Sequence, residues 1–360
     1  MLEIKNLNVV TGNFHLRDIN LAVAEGECHA VIGPSGSGKS TLLHAVLGVL
    51  PAQNGRIQLG GKDITRLPIE QRGLGYVPQG LGLFSHLTVR ENLAYSARAR
   101  HMAASDFQPL INQLVEATGI GSLLDRKPET LSGGERQRVG IVRALASQPK
   151  VVLLDEPFTA LNESLRRELW WLMRALQQER GLTVMLVTHD LSEAYFLSQT
   201  ISVLLEGRII QQGDKATVYG RPVAGDVARF LGIETLLPGR VVDVNDGLAT
   251  VEVGTTRIVA LAISAESKEV FVSIRGEDVT LQNHDTTATS ARNRLAARIV
   301  AIHAGSPLMQ VELDAGFPLT ALITRPSFHE LELQVGSTVI ALVKAPSINL
   351  IPRRPGEKHS

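Results

Sequence analysis

The sequence predicts an α/β domain built on a parallel sheet, followed by an all-β region of small barrels. In the first part of the chain, short uninterrupted apolar runs alternate with helical patterns, which is typical of strands buried on both faces of a parallel sheet. A glycine-rich pattern at residues 33–41 joins one such run to a helix. After Gly213 the pattern changes: a helical linker is predicted to about Gly232, and beyond it short strands with Gly, Asp and Asn turns replace the helical patterns.

Composition and charge indicate a globular protein with more than one domain. The chain has 360 residues, which is too long for one ordinary core. The 36 Lys and Arg residues balance the 36 Asp and Glu residues, so charge gives no reason to expect nucleic acid as a partner. The single cysteine, Cys28, excludes an internal disulfide and suits a reducing cytosol. We expect neither a signal peptide nor a membrane span, because no apolar run is long enough.

A change in the sequence pattern along the chain predicts where its domains begin and end. We expect a first domain over residues 1–235, containing a helical subdomain at about 86–145, and a second domain over 236–360. Within the second domain, residues 240–244 resemble residues 298–302. This predicts two small barrel-like units of similar design, separated by a polar loop at residues 283–291.

The glycine-rich pattern at residues 33–41 predicts a phosphate-binding loop. Glycines let the backbone N–H groups turn inward, and the positive end of the following helix points at the same place. Lys39 would reach the β- and γ-phosphates of a nucleotide, and the Ser40 hydroxyl would ligate Mg²⁺. The loop consists of Gly33, Pro34, Ser35, Gly36, Ser37, Gly38, Lys39, Ser40 and Thr41.

Polar side chains also follow three other predicted strands. Gln79 ends a short strand, Asp155 and Glu156 end a buried run, and His189 ends another. Ligands of open α/β sheets bind at the carboxyl ends of the strands, so we expect these side chains to lie beside the phosphate loop. Taken singly, the acidic pair could merely cap the next helix, and the histidine could be an ordinary polar strand end.

A second anion-binding motif lies at Ser132, Gly133, Gly134 and Glu135. It opens a helix predicted over residues 135–147, and a helix N-terminus favours anions. Two phosphate sites on different faces of one chain suggest that a nucleotide bridges two copies.

These motifs, in this order, resemble the ATPase subunits of ATP-binding-cassette (ABC) importers over roughly the first 235 residues. The resemblance implies ATP and Mg²⁺ as ligands. It implies that Asp155 positions Mg²⁺ together with Ser40 and Gln79, and that Gln79 relays nucleotide state to a membrane partner. It also implies that Glu156 polarises the attacking water while His189 contacts the γ-phosphate.

The same resemblance implies a dimer in which Ser132, Gly133 and Gly134 of one subunit close on the ATP held by the other. Two positions depart from the family pattern. Val10 and Thr11 stand where an aromatic residue usually stacks on adenine, and Phe14 is the nearest aromatic. Asn162 replaces the usual aspartate after the acidic pair.

The second domain resembles regulatory barrels of such importers, and its later part, at about residues 289–353, resembles the molybdate-binding Mop domain. An oxyanion needs hydroxyl, amide and cationic donors with no carboxylate close by. The alternative is a barrel that only dimerises the subunit. The candidate donors are Ser290, Arg292, Asn293, Lys344 and Ser347.

The resemblance therefore implies a homodimeric ATPase at the cytoplasmic face of the inner membrane that powers import of an oxyanion, molybdate foremost. Its partners would be two permease subunits and, indirectly, a substrate-binding protein. A sulfate or tungstate importer shares nearly every feature. A sugar importer with a purely structural tail should lack the element at residues 290–293.

Overall fold

The computed structural model describes residues 1–159, 161–262, 267–284, 289–305 and 307–353. The chain divides into two units, Met1–Val218 and Tyr219–Ser360. The second unit thus begins before the boundary predicted at residues 235 and 236. Ala160, beside the predicted catalytic segment, and residues 285–288 of the predicted polar loop lie outside the described residues.

Two sheets organise the first unit. Its strands are β1 (Leu2–Thr11), β2 (Phe14–Val23), β3 (Cys28–Ile32), β4 (Asn54–Leu59), β5 (Lys62–Asp63), β6 (Leu74–Val77), β7 (Val151–Asp155), β8 (Thr183–Thr188), β9 (Thr200–Leu205) and β10 (Arg208–Asp214). A four-stranded antiparallel sheet has the order β2-β1-β4-β5. A six-stranded sheet has the order β10-β9-β3-β8-β7-β6 and is parallel except for β10.

The apolar runs of the sequence are the central strands of the six-stranded sheet. Every residue of β3, β7 and β8 is buried. A strand covered on both faces has no solvent side, so its sequence loses the alternation of polar and apolar residues. The predicted α/β architecture is therefore confirmed, with the phosphate-loop strand β3 between β8 and β9.

Helices connect these strands. They are α1 (Lys39–Leu47), α2 (Val89–Ala99), α3 (Ala104–Thr118), α4 (Gly133–Leu145), α5 (Glu163–Arg180), α6 (Leu191–Leu197) and α7 (Lys215–Gly220). The residues of the predicted helical subdomain, at about 86–145, include α2, α3 and α4. The last of these helices begins two residues before the predicted Glu135. Among the described helices, none combines the length and apolar character needed to cross a membrane.

The second unit is mostly β-structure. It contains α8 (Gly225–Phe230), β11 (Thr235–Asn245), β12 (Leu248–Val253), β13 (Thr256–Leu261), β14 (Glu269–Ile274), β15 (Thr280–Gln282), β16 (Asn293–Ala304), β17 (Leu308–Asp314), β18 (Pro318–Thr324), α9 (Arg325–Glu330), β19 (Thr338–Val343) and β20 (Ile348–Pro352). The strands form two five-stranded sheets, with the orders β13-β12-β11-β14-β20 and β15-β19-β16-β17-β18.

The two sheets repeat one design and exchange their last strands. The similar segments at residues 240–244 and 298–302 lie in β11 and β16, each the central strand of its sheet. However, β15 follows β14 in the chain and joins the second sheet, whereas β20 follows β19 and joins the first. Apolar side chains of both sheets form one core, so the two predicted units are interlocked halves of one body.

Candidate nucleotide site

The phosphate loop and the polar strand ends meet at one edge of the six-stranded sheet. β3 pairs in parallel with β8, β8 with β7, and β7 with β6. Parallel strands end at the same edge, so the segments after them lie side by side. These segments carry the loop after β3, Gln79 after β6, Glu156 after β7 and His189 after β8.

The loop has the backbone conformation that its glycines permit. Gly36 and Gly38 have φ angles of +81° and +104°, a region that other residues rarely adopt. A Cβ atom on Gly38 would lie 2.6 Å from ring carbons of Phe14, which packs against the start of α1. Phe14 is the aromatic residue nearest to the position where the family usually has an adenine-stacking residue. In this structure its ring packs against Gly38 of the phosphate loop. Among the described residues, the buried Ser37 hydroxyl has no hydrogen-bond partner, as expected of a donor reserved for a ligand.

Lys39 places its ammonium group inside the loop. Nζ donates to the carbonyl oxygens of Gly33 and Pro34, each at 3.0 Å, and lies 3.7 Å from Oε1 of Glu156. Burial lowers the pKa of Lys39, and the carboxylates of Glu156 and Asp155 oppose that change. A partly desolvated cation that contacts only carbonyl and carboxylate oxygens can exchange those contacts for phosphate oxygens at little cost.

Two of the residues predicted to hold Mg²⁺, Ser40 and Asp155, are hydrogen-bonded to each other. The Ser40 hydroxyl donates to Oδ1 of Asp155 at 3.1 Å, and the Tyr76 hydroxyl donates to Oδ2 at 3.3 Å. Burial raises the pKa of Asp155, and hydrogen bonds from Ser40 and Tyr76 act against it. A hydroxyl and a carboxylate side by side are the hard oxygen ligands that Mg²⁺ takes beside nucleotide phosphates, so the donor set fits this ion.

Glu156 lies at the centre of the strand-end cluster. Its Oε1 is 3.2 Å from Nδ1 of His189, and Nε2 of Gln79 donates to its Oε2 at 3.4 Å. Its φ angle is +44°, an uncommon value for a residue with a side chain, and its N–H donates to the carbonyl oxygen of Val187. Such backbone strain clusters at functional sites, because only a well-determined surrounding structure maintains it. The arrangement directs one carboxylate toward Gln79, His189 and Lys39.

The second motif is the N-terminus of α4. Ser132 is the N-cap: its hydroxyl accepts the N–H of Glu135 at 3.3 Å, and the Glu135 carboxylate accepts the N–H of Ser132 at 2.7 Å. These hydrogen bonds lower the pKa of Glu135. Within the described ranges, no hydrogen bond or ion pair connects Ser132, Gly133 or Gly134 to the phosphate loop of the same chain. The structure thus brings Gln79, Asp155, Glu156 and His189 to the loop, while the second motif lies at the start of a different helix.

Sequence reasoning missed Tyr76 and the cap at Asn162. Tyr76 is the penultimate residue of β6, and its hydroxyl donates to Asp155. An aromatic residue with a polar tip, three positions before Gln79, was the available signal in the sequence. Asn162 is the N-cap of α5, with Oδ1 accepting the N–H of Leu165 at 3.0 Å. Asn and Asp cap helices about equally well, so the departure at this position leaves the start of α5 intact.

Two of the predicted oxyanion donors are engaged in the fold of the second unit. Asn293 is buried: its Oδ1 accepts the N–H of Val259 at 2.6 Å, and its Nδ2 donates to the carbonyl oxygens of Val259 and Val343. The amide of this predicted anion donor thus joins strands of the two sheets, and both contacts of its Nδ2 group lie within the fold. Ser347 donates to the Asp278 carboxylate at 3.2 Å, so it has an acidic neighbour that an oxyanion site should lack.

The other three predicted donors lie at the surface. Ser290, Arg292 and Lys344 are exposed. Asn293 pairs with Val343 in the register of β16 and β19, so Arg292 and Lys344 directly adjoin the two members of one pair. One chain therefore offers two exposed cations at this end of the sheet.

Comparison with known proteins identifies two family patterns. Residues 16–159 match the ABC transporter family, and residues 289–350 match the TOBE domain. The chain is 39% identical to the molybdate/tungstate import ATP-binding protein WtpC of Pyrococcus horikoshii, over 98% of this chain and 100% of that protein. It is 36% identical to the sulfate/thiosulfate import ATP-binding protein CysA of Mycolicibacterium paratuberculosis, over 91% of this chain and 85% of that protein.

Solved structures resemble the ATPase part of the chain. The dimeric ATP-binding cassette MJ0796, in a post-hydrolysis state bound to ADP and phosphate, superposes with a TM-score of 0.53 and 29% identity, over 59% of this chain and 98% of that one. The cbiO1 subunit of the ABC transporter complex cbiONQ from Clostridium perfringens has a TM-score of 0.56 and 30% identity, over 65% of this chain and 94% of that one.

Proposed function

Since this chain belongs to the ATP-binding subunits of ABC transporters, we propose that it powers import of an oxyanion, molybdate foremost, through a membrane permease. The observation that carries the proposal is the 39% identity to a molybdate/tungstate import subunit over nearly the whole chain, including the tail. A sulfate importer is the second candidate, because a sulfate/thiosulfate import subunit is 36% identical over 91% of the chain.

In this proposal, the chain's own groups bind and orient the reactants of ATP hydrolysis. The N–H groups of the phosphate loop and Lys39 bind the phosphates, and Ser40, Asp155 and Gln79 hold Mg²⁺. When bound, Mg²⁺ neutralises charge that develops on the β- and γ-phosphates. Glu156 accepts a hydrogen bond from the attacking water and orients it, while His189 contacts the γ-phosphate.

The second motif, at the start of α4, supports a shared-site dimer. A helix N-terminus beginning Ser-Gly-Gly would bind the phosphates of ATP held by the phosphate loop of a second copy. Closure of two copies around ATP and reopening after hydrolysis would then drive the permease, at the face of the membrane where the cell supplies ATP. The relative MJ0796 is dimeric in its solved structure, which supports this arrangement.

Uptake measurements test the proposed cargo. We expect cells in which Glu156→Gln replaces the wild-type chain to lose ATP-dependent uptake of labelled molybdate, roughly 10²-fold or more if hydrolysis is limiting. Glu179→Gln, on an exposed position of α5, is the matched control and should transport normally. Unlabelled tungstate should compete and excess sulfate should not. Uptake of sulfate alone would favour the second candidate, and uptake unaffected by Glu156→Gln would remove the proposal.

For the second unit, we propose a regulatory site in which Arg292 and Lys344 bind the oxyanion where two tails meet. A dianion removed from water needs cationic partners, and each single chain presents these two cations at its surface. Binding that favours the open dimer would slow ATP-driven closure.

Calorimetric titration tests this site in the full chain. The titration uses the Lys39→Ala background, because an oxyanion can also occupy the phosphate loop. We expect micromolar molybdate binding, weakened about tenfold or more by Lys344→Ala through the loss of one charge-assisted contact. Lys268→Ala, at another exposed position of the second unit, should bind normally. No heat at millimolar molybdate, tungstate or sulfate would leave a tail that only dimerises.

A further inference from the structure

The segment that carries His189 is anchored on both sides. β8 ends at Thr188, and Asp190 is the N-cap of α6, so His189 is the one residue between a strand and a helix cap. The Thr188 hydroxyl accepts the N–H of Asp190 at 3.0 Å, and Oδ1 of Asp190 accepts the N–H of Glu193 at 3.0 Å. The backbone around His189 is therefore held by its two neighbours.

Glu193 contacts Thr188, the residue before His189. It is 2% exposed, and its Oε2 accepts a hydrogen bond from the Thr188 hydroxyl at 3.1 Å. Burial raises its pKa to about 8, so the carboxyl is mostly neutral at pH 7. A neutral carboxyl bonded to a buried hydroxyl holds Thr188 without placing a second negative charge beside Glu156.

Arg166, a residue of α5, contacts Asp190, the residue after His189. Its Nη1 donates to Oδ2 of Asp190 at 3.0 Å, the carboxylate oxygen that the cap does not use. The guanidinium lies over the ring of Trp170, 5.6 Å from its centroid, which limits its freedom. The two charged side chains are 29% and 24% exposed, so water screens this pair less than a pair on the open surface.

Arg166 belongs to the first turn of α5, directly after the segment that follows Glu156. Its N–H donates to the carbonyl oxygen of Asn162, the N-cap of that helix. The ion pair with Asp190 thus connects the start of α5 to the residue after His189. His189 in turn lies 3.2 Å from Glu156 through Nδ1. The start of α5, which follows Glu156 in the chain, is therefore joined through Arg166 and Asp190 to the residue next to His189.

We propose that Arg166 is a positioning residue for ATP hydrolysis, which holds His189 against Glu156 through its ion pair with Asp190. The inference rests on the proposed role of His189 in hydrolysis. The His189 side chain is 45% exposed, so packing alone does not determine its place. Loss of the ion pair should make the position of His189 less well defined and so slow the hydrolysis step. It should leave ATP binding by the phosphate loop nearly unchanged.

The experiment measures single-turnover hydrolysis and the KM for ATP in two backgrounds. Arg166→Met removes the charge and keeps an apolar stem, and Asp190→Asn removes the charge while keeping a good N-cap. In the wild-type background, we expect each to lower the hydrolysis rate about tenfold or more, with KM changed less than about twofold. In the His189→Ala background, neither should lower the rate further.

The matched control is Arg167→Met on the same helix turn. Arg167 pairs with Glu163 at the surface, where its side chain is 68% exposed, so this variant should behave as wild type. Thermal unfolding of every variant reports the structural contribution of the pair, which should be small because both side chains are partly exposed.

Each remaining outcome counts against the inference. An equal loss of rate with and without His189, or a rise in KM with an unchanged rate, would mean that Arg166 acts on the fold or on ATP binding. Unchanged hydrolysis in both charge-removing variants would mean that the pair has no part in the reaction. If His189→Ala itself hydrolyses ATP normally, the proposed role of His189 fails first. If Arg166→Met does not fold, Asp190→Asn decides alone.

Discussion

Replacing Glu156 with Gln should lower the ATPase rate by about 10²–10⁴-fold while the protein still binds ATP. Gln has the same shape and can keep a contact with Gln79 or His189, but its neutral amide cannot polarise the attacking water as a carboxylate does. The change also removes a negative charge 3.7 Å from Nζ of Lys39. Binding of the ATP phosphates should therefore not weaken, because the ground state loses a repulsive neighbour rather than a ligand.

Phosphate release and nucleotide binding, measured on the same preparation, check this prediction. With ATP and Mg²⁺, the variant should accumulate as an ATP-bound dimer on gel filtration, because closure is no longer followed by hydrolysis. Glu179→Gln, an exposed residue of α5, makes the same chemical change away from the site and should hydrolyse ATP at the wild-type rate. Normal hydrolysis by Glu156→Gln would remove Glu156 from its assigned role.

Mixing two inactive variants should restore ATP hydrolysis. In a dimer with shared sites, a Lys39→Ala chain supplies an intact Ser132 motif, and a Ser132→Arg chain supplies an intact phosphate loop. Their mixed dimer contains one complete site and one doubly damaged site. Neither parent dimer contains a complete site. In the Lys39→Ala dimer, both sites lack the lysine ammonium group. In the Ser132→Arg dimer, an arginine obstructs the start of α4 at both sites.

Steady-state hydrolysis during stepwise mixing of the two variants measures this effect. Activity should rise from near zero to a maximum close to equal proportions, since mixed dimers are then most abundant. Mixing Lys39→Ala with Glu156→Gln is the control, because these residues serve the same phosphate loop, and no mixed dimer contains a complete site. Activity of the first mixture no higher than that of either parent would show that each chain works with its own two motifs.

Local sequence determined the α/β part of this protein. Buried parallel strands have no solvent face, so β3, β7 and β8 appear as apolar runs in the sequence. The phosphate loop was predictable because its chemistry needs glycines, a lysine and a hydroxyl at fixed spacing within one turn. Gln79, Glu156 and His189 were predictable as neighbours because parallel strands end at one edge of a sheet.

Only the tertiary structure decided which partners these residues contact. A strand's sequence specifies its buried face but not the sheet it joins, so the exchange of β15 and β20 between the two sheets could not be predicted. Asn293 looked like an anion donor because amide chemistry is the same at a surface and in a core; burial between Val259 and Val343 commits its amide to those strands. Arg166 and Asp190 meet only when α5 and the start of α6 pack together, and a contact between distant segments leaves no pattern in either one.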